Sequence, residues 1–219
     1  MSLTPTKPEN RERQLPPAGT HRAVLYKIVN LGTLTTEFKG VEKKQHKIRL
    51  FWELPDEKIE YEVNGEKKSG PFSIGKKFTF SMGDQSHLYP IVVGMVGQAL
   101  TEDERWSFNI ESLLGSSSLI TITHDTLPDG RKFANVSSTS PLVKGMEKPT
   151  QTNQSEMIDV RKLTKEEIDN LPDYLKEDMK SSSEYHVRFL APRGEEGSRI
   201  DKIYEESGID EIKPEDIPF

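Results

Sequence analysis

Cysteine is absent from all 219 residues. That excludes disulfides, thiolate metal sites and cysteine nucleophiles, and fits a reducing compartment. Apolar residues are scarce, 33% against 30% charged, too few for a chain packed throughout, so part of it is expected to lie outside any core. No run reaches the roughly 18 apolar residues that a membrane-spanning helix needs; the longest, YPIVVGMVGQAL, is clearly shorter. The opening MSLTPTKPENRERQLPPAG has no apolar stretch of signal-peptide type. The five histidines (His21, His46, His87, His124, His186) are scattered and form no metal-ligand spacing. GEKKSG lacks the spacing of a phosphate loop and does not join a strand to a helix. We therefore expect no metal, no cofactor and no enzyme.

What is present is a charge asymmetry. The net charge is −6. Residues 1–150 hold 20 Lys and Arg against 18 Asp and Glu, whereas residues 151–219 hold 10 against 18. A mildly basic body followed by an acidic tail suits a polyanion binder.

Strand patterns dominate the body. HRAVLYKIVNL is β-rich with a blurred alternation, as in a strand that bends or bulges. GTLTTEFKGVEKKQ reads as a loop. HKIRLFWEL alternates cleanly, with Ile48, Leu50, Trp52 and Leu54 on one face and Lys47, Arg49, Phe51 and Glu53 on the other. PDEKIEYEVNGEKKSGP reads as a solvated excursion, and FSIGKKFTFS as a third strand with Phe72, Ile74, Phe78 and Phe80 in phase. The period then turns helical from Ser86, with Leu88, Val92, Met95 and Ala99 on one stripe. TEDE offers a capping box for a short helix, and FNIESLLG a closing turn. SLITITHD and RKFANVSST are strands joined through Asp129-Gly130, a strong hairpin signal.

Three strands, a helix and a two-strand hairpin are the order of the OB-fold, a five-stranded Greek-key barrel with a helix between strands 3 and 4. The expected organisation is a disordered arm over 1–18, the OB domain over 19–146, a linker over 147–163, a short helical segment over 164–180 opened by a Thr164–Glu167 capping box, and an acidic, largely disordered tail over 181–219.

Single-strand binding needs cations for phosphates and flat rings for bases. The outward phase of the second strand offers Lys47 and Arg49 beside Phe51, and the last strand offers Arg131 and Phe133. Lys43, Lys44, Lys76, Lys77 and Lys132 are further phosphate contacts. Trp52, Phe78 and Phe80 read as core. Phe51 and Phe133 are base platforms unless a loop or the C-terminal helix covers them.

Two resemblances sharpen this. The tip Asp216-Ile217-Pro218-Phe219, behind Asp210, Glu211 and Glu215, resembles the acidic C-terminal tip of the bacterial single-stranded DNA-binding protein family, although Lys213 interrupts the acids here. In that family the terminal Pro-Phe docks into basic-rimmed apolar pockets on genome-maintenance enzymes. The resemblance thus implies that Asp216, Ile217, Pro218 and Phe219 bind replication, recombination and repair proteins. IRLFWELP, GKKFTFSMGDQSHLYPIV, FNIESLLG and RKFANVSSTSPL, across residues 20–145, resemble phage-encoded single-stranded DNA-binding proteins built on one OB-fold. This implies sequence-nonspecific binding of single-stranded DNA in the host cytoplasm. Oligomeric state stays open, a homo-oligomer included. The competing expectation is an OB-like adaptor or structural phage protein that binds protein and not DNA.

Overall fold

The structure, a computed structural model, describes residues 14–38, 41–63 and 65–190. It is mainly β. Six strands, β1 (Gly19–Phe38), β2 (Val41–Val63), β3 (Glu66–Thr79), β4 (Ser117–Thr126), β5 (Lys132–Ser140) and β6 (Glu156–Asp159), form one sheet in the order β3-β2-β1-β4-β5. Neighbours along that order are antiparallel, and β6 lies parallel to β1. The helices are α1 (Leu88–Val96), α2 (Glu102–Trp106), α3 (Lys165–Asp169), α4 (Asp173–Lys180) and α5 (Ser183–Phe189), with a 3-10 turn at Ile110–Leu113.

The blurred alternation of the first strand has its cause in two register shifts, at Leu25/Lys27 and Asn30/Gly32. These let β1 serve two sheet neighbours on one edge in succession. Residues 19–24 pair with β4 and residues 27–30 with β6. At the far ends of the strand order, β3 and β5 come together where the Lys76 ammonium donates to the Val136 carbonyl at 2.5 Å.

The described residues of the expected first loop and of the expected solvated excursion are almost all strand instead. β1 and β2 stay paired out to Phe38↔Val41, and β2 and β3 out to Val63↔Glu66. Their side chains are largely solvated on both faces, so no period-2 pattern marks them; backbone ladder bonds alone extend the hairpins. The DG turn forms as expected, with Gly130 at φ 85° and the Leu127 N–H bonded to the Arg131 carbonyl. Both capping boxes form as well, Thr101 with Glu104 and Thr164 with Glu167.

One face of the sheet is sealed by Leu50, Trp52, Leu54, Ile74, Phe78, Ile120, Ile122 and Val136 packing against Leu88, Ile91, Val92 and Met95 of α1. α1 stops at the left-handed Gly97, which leaves Ala99 exposed and off the stripe. Gly94 lets the helix lie on β5, because a Cβ there would sit 2.2 Å from the Thr139 carbonyl. Phe80, expected in the core, is 37% exposed against His46.

A second core lies on the opposite face of β1 and β2. Val29, Leu31 and Phe51 pack there against Ile158, Val160, Ile168, Leu175, Met179 and Tyr185. The central strands are therefore buried on both faces, and the C-terminal segment is part of the fold. Three boundaries move as a result. Residues 156–159, expected as linker, are strand β6. The preceding stretch is anchored by the buried Glu53, whose carboxylate accepts from the Thr152 and Asn153 amides at 2.6 and 2.8 Å. Residues 183–189, expected as loose tail, are helix α5, held by Glu184, which accepts from the Thr33 N–H and hydroxyl at 2.7 and 2.9 Å. Of the expected arm, residues 14–18 lie against the sheet, with Pro16 buried and its carbonyl bonded to His124 Nε2.

Candidate nucleic-acid interface

Alternation along β2 puts Lys47, Arg49 and Phe51 on the face opposite Leu50 and Trp52. The register sets Thr79, Lys77 and Gly75 of β3 beside them. Lys47 donates to Gln45 Oε1 and Thr79 Oγ1, both at 2.7 Å. Partial burial, and then the neighbouring Lys77, push its pKa below the ordinary lysine value. Arg49 and Lys77 share one carboxylate: Asp178 of α4 lies 2.8 Å from Lys77 Nζ and 4.0 Å from Arg49 Nη1. The Arg49 guanidinium also lies over the Tyr174 ring at 4.8 Å and faces the Phe51 ring at 5.7 Å. Three of the expected cations thus meet on one face.

Phe51 does not serve as an exposed platform. It is 7% exposed, and the alternative weighed from sequence holds. The ring packs against Gly75, where a Cβ would come within 2.5 Å of it. The Tyr174 ring tilts toward it at 6.5 Å, and Leu175 and Met179 belong to the same cluster. A large apolar ring beside a strand glycine gains by burial whatever charges flank it in sequence, and α4 supplies the cover.

Lys76 is also placed differently. Its ammonium ties β3 to the Val136 carbonyl and lies over Phe78. Burial lowers its pKa, against the pull of Asp125. This lysine joins strands and is not presented with Lys77. Lys43 and Lys44 stand exposed on the β1–β2 hairpin, opposite Thr36 and Thr35. On the β4–β5 hairpin, Phe133 is 37% exposed opposite Asp125. Lys132 is exposed, and Arg131 pairs locally with Asp129 at 2.7 Å. The tip Asp216, Ile217, Pro218 and Phe219 lies outside the described residues.

Two residues escaped the sequence reading, Tyr174 and Asp178. Both lie off the Ile168, Leu171, Leu175, Met179 stripe of the C-terminal helices. An aromatic ring on the polar side of an amphipathic helix was the signal available. Among the described residues, no group of three His, Asp or Glu could hold a metal, and no helix is long and apolar enough to cross a membrane. The chain matches no protein-family model, and no curated protein is similar enough to indicate kinship.

Proposed function

We propose that this chain binds single-stranded DNA without sequence preference, through a five-stranded Greek-key barrel of the OB type to which β6 and the C-terminal helices are added, and that it acts in phage DNA replication, recombination and repair in the host cytoplasm. The OB reading is supported by the pairing of β1 with both β2 and β4, by α1 between β3 and β4, and by the approach of β3 to β5 at Lys76. The observation that carries the function is the convergence of Lys47, Arg49 and Lys77 on the outer side of β2 and β3. That is the side which holds oligonucleotides in OB barrels. The lysine-bearing β1–β2 hairpin continues from β2. Phosphates neutralised there release counterions, so affinity falls steeply with salt. Phe133 supplies one exposed ring for a base.

The acidic tip resembles that of the bacterial family, and this supports recruitment of replication, recombination and repair proteins through Phe219. An adaptor that binds protein is favoured by one observation: the chain's own C-terminal helices already cover Phe51. Fluorescence anisotropy of the full chain with labelled oligothymidylate, duplex DNA and RNA separates the two. Preference for the unpaired DNA strand, with affinity that drops steeply as salt rises, supports the nucleic-acid reading. Deleting Asp216 to Phe219 should leave that binding intact or tighten it. Absent or salt-independent binding overturns the reading.

A further inference from the structure

We infer that Tyr174 of α4 is a base-stacking platform for the bound strand, an inference that rests on the single-strand-binding reading above. Tyr174 is 44% exposed, whereas Leu175 and Met179 of the same helix are 2% and 0% exposed. Those two side chains hold α4 on the sheet, so packing does not require the tyrosine ring. Arg49 lies over the ring at 4.8 Å. A planar guanidinium against a ring fixes the ring's orientation while the exposed remainder stays open to solvent.

Tyr174 and Asp178 are four residues apart and therefore share one side of α4. Asp178 is bonded to Lys77 at 2.8 Å and sits 4.0 Å from Arg49. The ring therefore stands at the edge of the cluster containing Arg49 and Lys77, with Lys47 beside it on β2. An open aromatic surface next to two or three cations is the combination that an unpaired strand needs, one surface for a base and charges for the phosphates beside it. Burial of Phe51 removes the ring expected for this place, and Tyr174, standing above it at 6.5 Å, takes that position on the outer side.

The test is anisotropy with two labelled ligands of equal length, an oligothymidylate of about 30 nucleotides, longer than the ~4–16 nucleotide site of one OB barrel, and the matching abasic strand. Tyr174→Ala should weaken binding to oligothymidylate by about 5- to 150-fold, the worth of one base stack. Its affinity for the abasic strand and its salt dependence should equal those of the unmodified chain, because no phosphate contact is lost. Tyr174→Phe should bind oligothymidylate within about 2-fold of the unmodified chain, since every base needs only the ring's π-face. Tyr174→Leu, which keeps apolar bulk, should behave like the alanine variant.

Equal affinity of Tyr174→Ala and the unmodified chain for oligothymidylate overturns the inference and leaves the single-strand reading standing. So does restoration by leucine, or an equal loss on both ligands, each of which marks a packing role. Failure of the unmodified chain to bind oligothymidylate overturns the functional reading itself, and this inference with it.

Discussion

Asp178→Asn should make this protein bind single strands more tightly. The carboxylate is 20% exposed at its side chain and sits between Lys77 at 2.8 Å and Arg49 at 4.0 Å. In the proposed single-strand reading it occupies the place a phosphate oxygen would take, and a strand would compete with it for both cations. Asparagine keeps the shape of the side chain and removes the charge. Each cation that gains a phosphate adds about 0.7 to the slope of log affinity against log salt for a single strand, which at ~0.1 M salt corresponds to about 5-fold. Freeing both cations therefore gives up to roughly 25-fold tighter binding and a slope steeper by ~1.4.

The cost in stability should be small, about 0–1 kcal/mol, as for other partly exposed ion pairs. Leu175 and Met179, at 2% and 0% exposure, still hold α4 in place. Oligothymidylate titrations at several salt concentrations, with a urea unfolding curve as control, read both quantities. Unchanged or weaker affinity at an unchanged slope would show that Arg49 and Lys77 do not meet phosphates, and would move the interface off this face.

Two further outcomes follow from the burial pattern. Phe51→Ala empties a site between Gly75 and α4 and should destabilise the fold by about 3–5 kcal/mol, read as a shifted urea midpoint; a change below ~1 kcal/mol would mean that the second core does not form. His46 is 9% exposed, and its pKa is held below the ordinary value of 6.5 chiefly by burial and then by Arg161, against the pull of Glu184 and Asp159. The unfolded chain takes up that proton near pH 6.5 while the folded chain does not, so this contribution to stability is complete above pH 6.5 and is lost as the pH falls below it. Melting temperatures measured from about pH 7.5 to about pH 5 should fall less in His46→Gln than in the unmodified chain; an equal or greater fall refutes the assignment.

The second strand was legible because one of its faces is apolar at a strict period of two. Ile48, Leu50, Trp52 and Leu54 announce β2, and both capping boxes and the DG turn are local hydrogen-bonding patterns that a few residues specify unaided. The hairpin extensions were not legible, since a ladder solvated on both faces needs only backbone and leaves no pattern in side chains. Gly94, which weakens the helical signal of α1, is the residue that lets α1 approach Thr139.

The sequence by itself determined the mainly β character, the order of the elements from β1 to β5, and which side of β2 carries Lys47, Arg49 and Phe51, because these depend on local period and turn chemistry. Tertiary structure decided what becomes of that side. Whether a ring among charges is open or sealed depends on a helix more than a hundred residues later in the chain, and whether two cations are paired depends on Asp178 of that helix. Such contacts arise from the closing of distant segments over one another, and no window of sequence around Phe51 contains them.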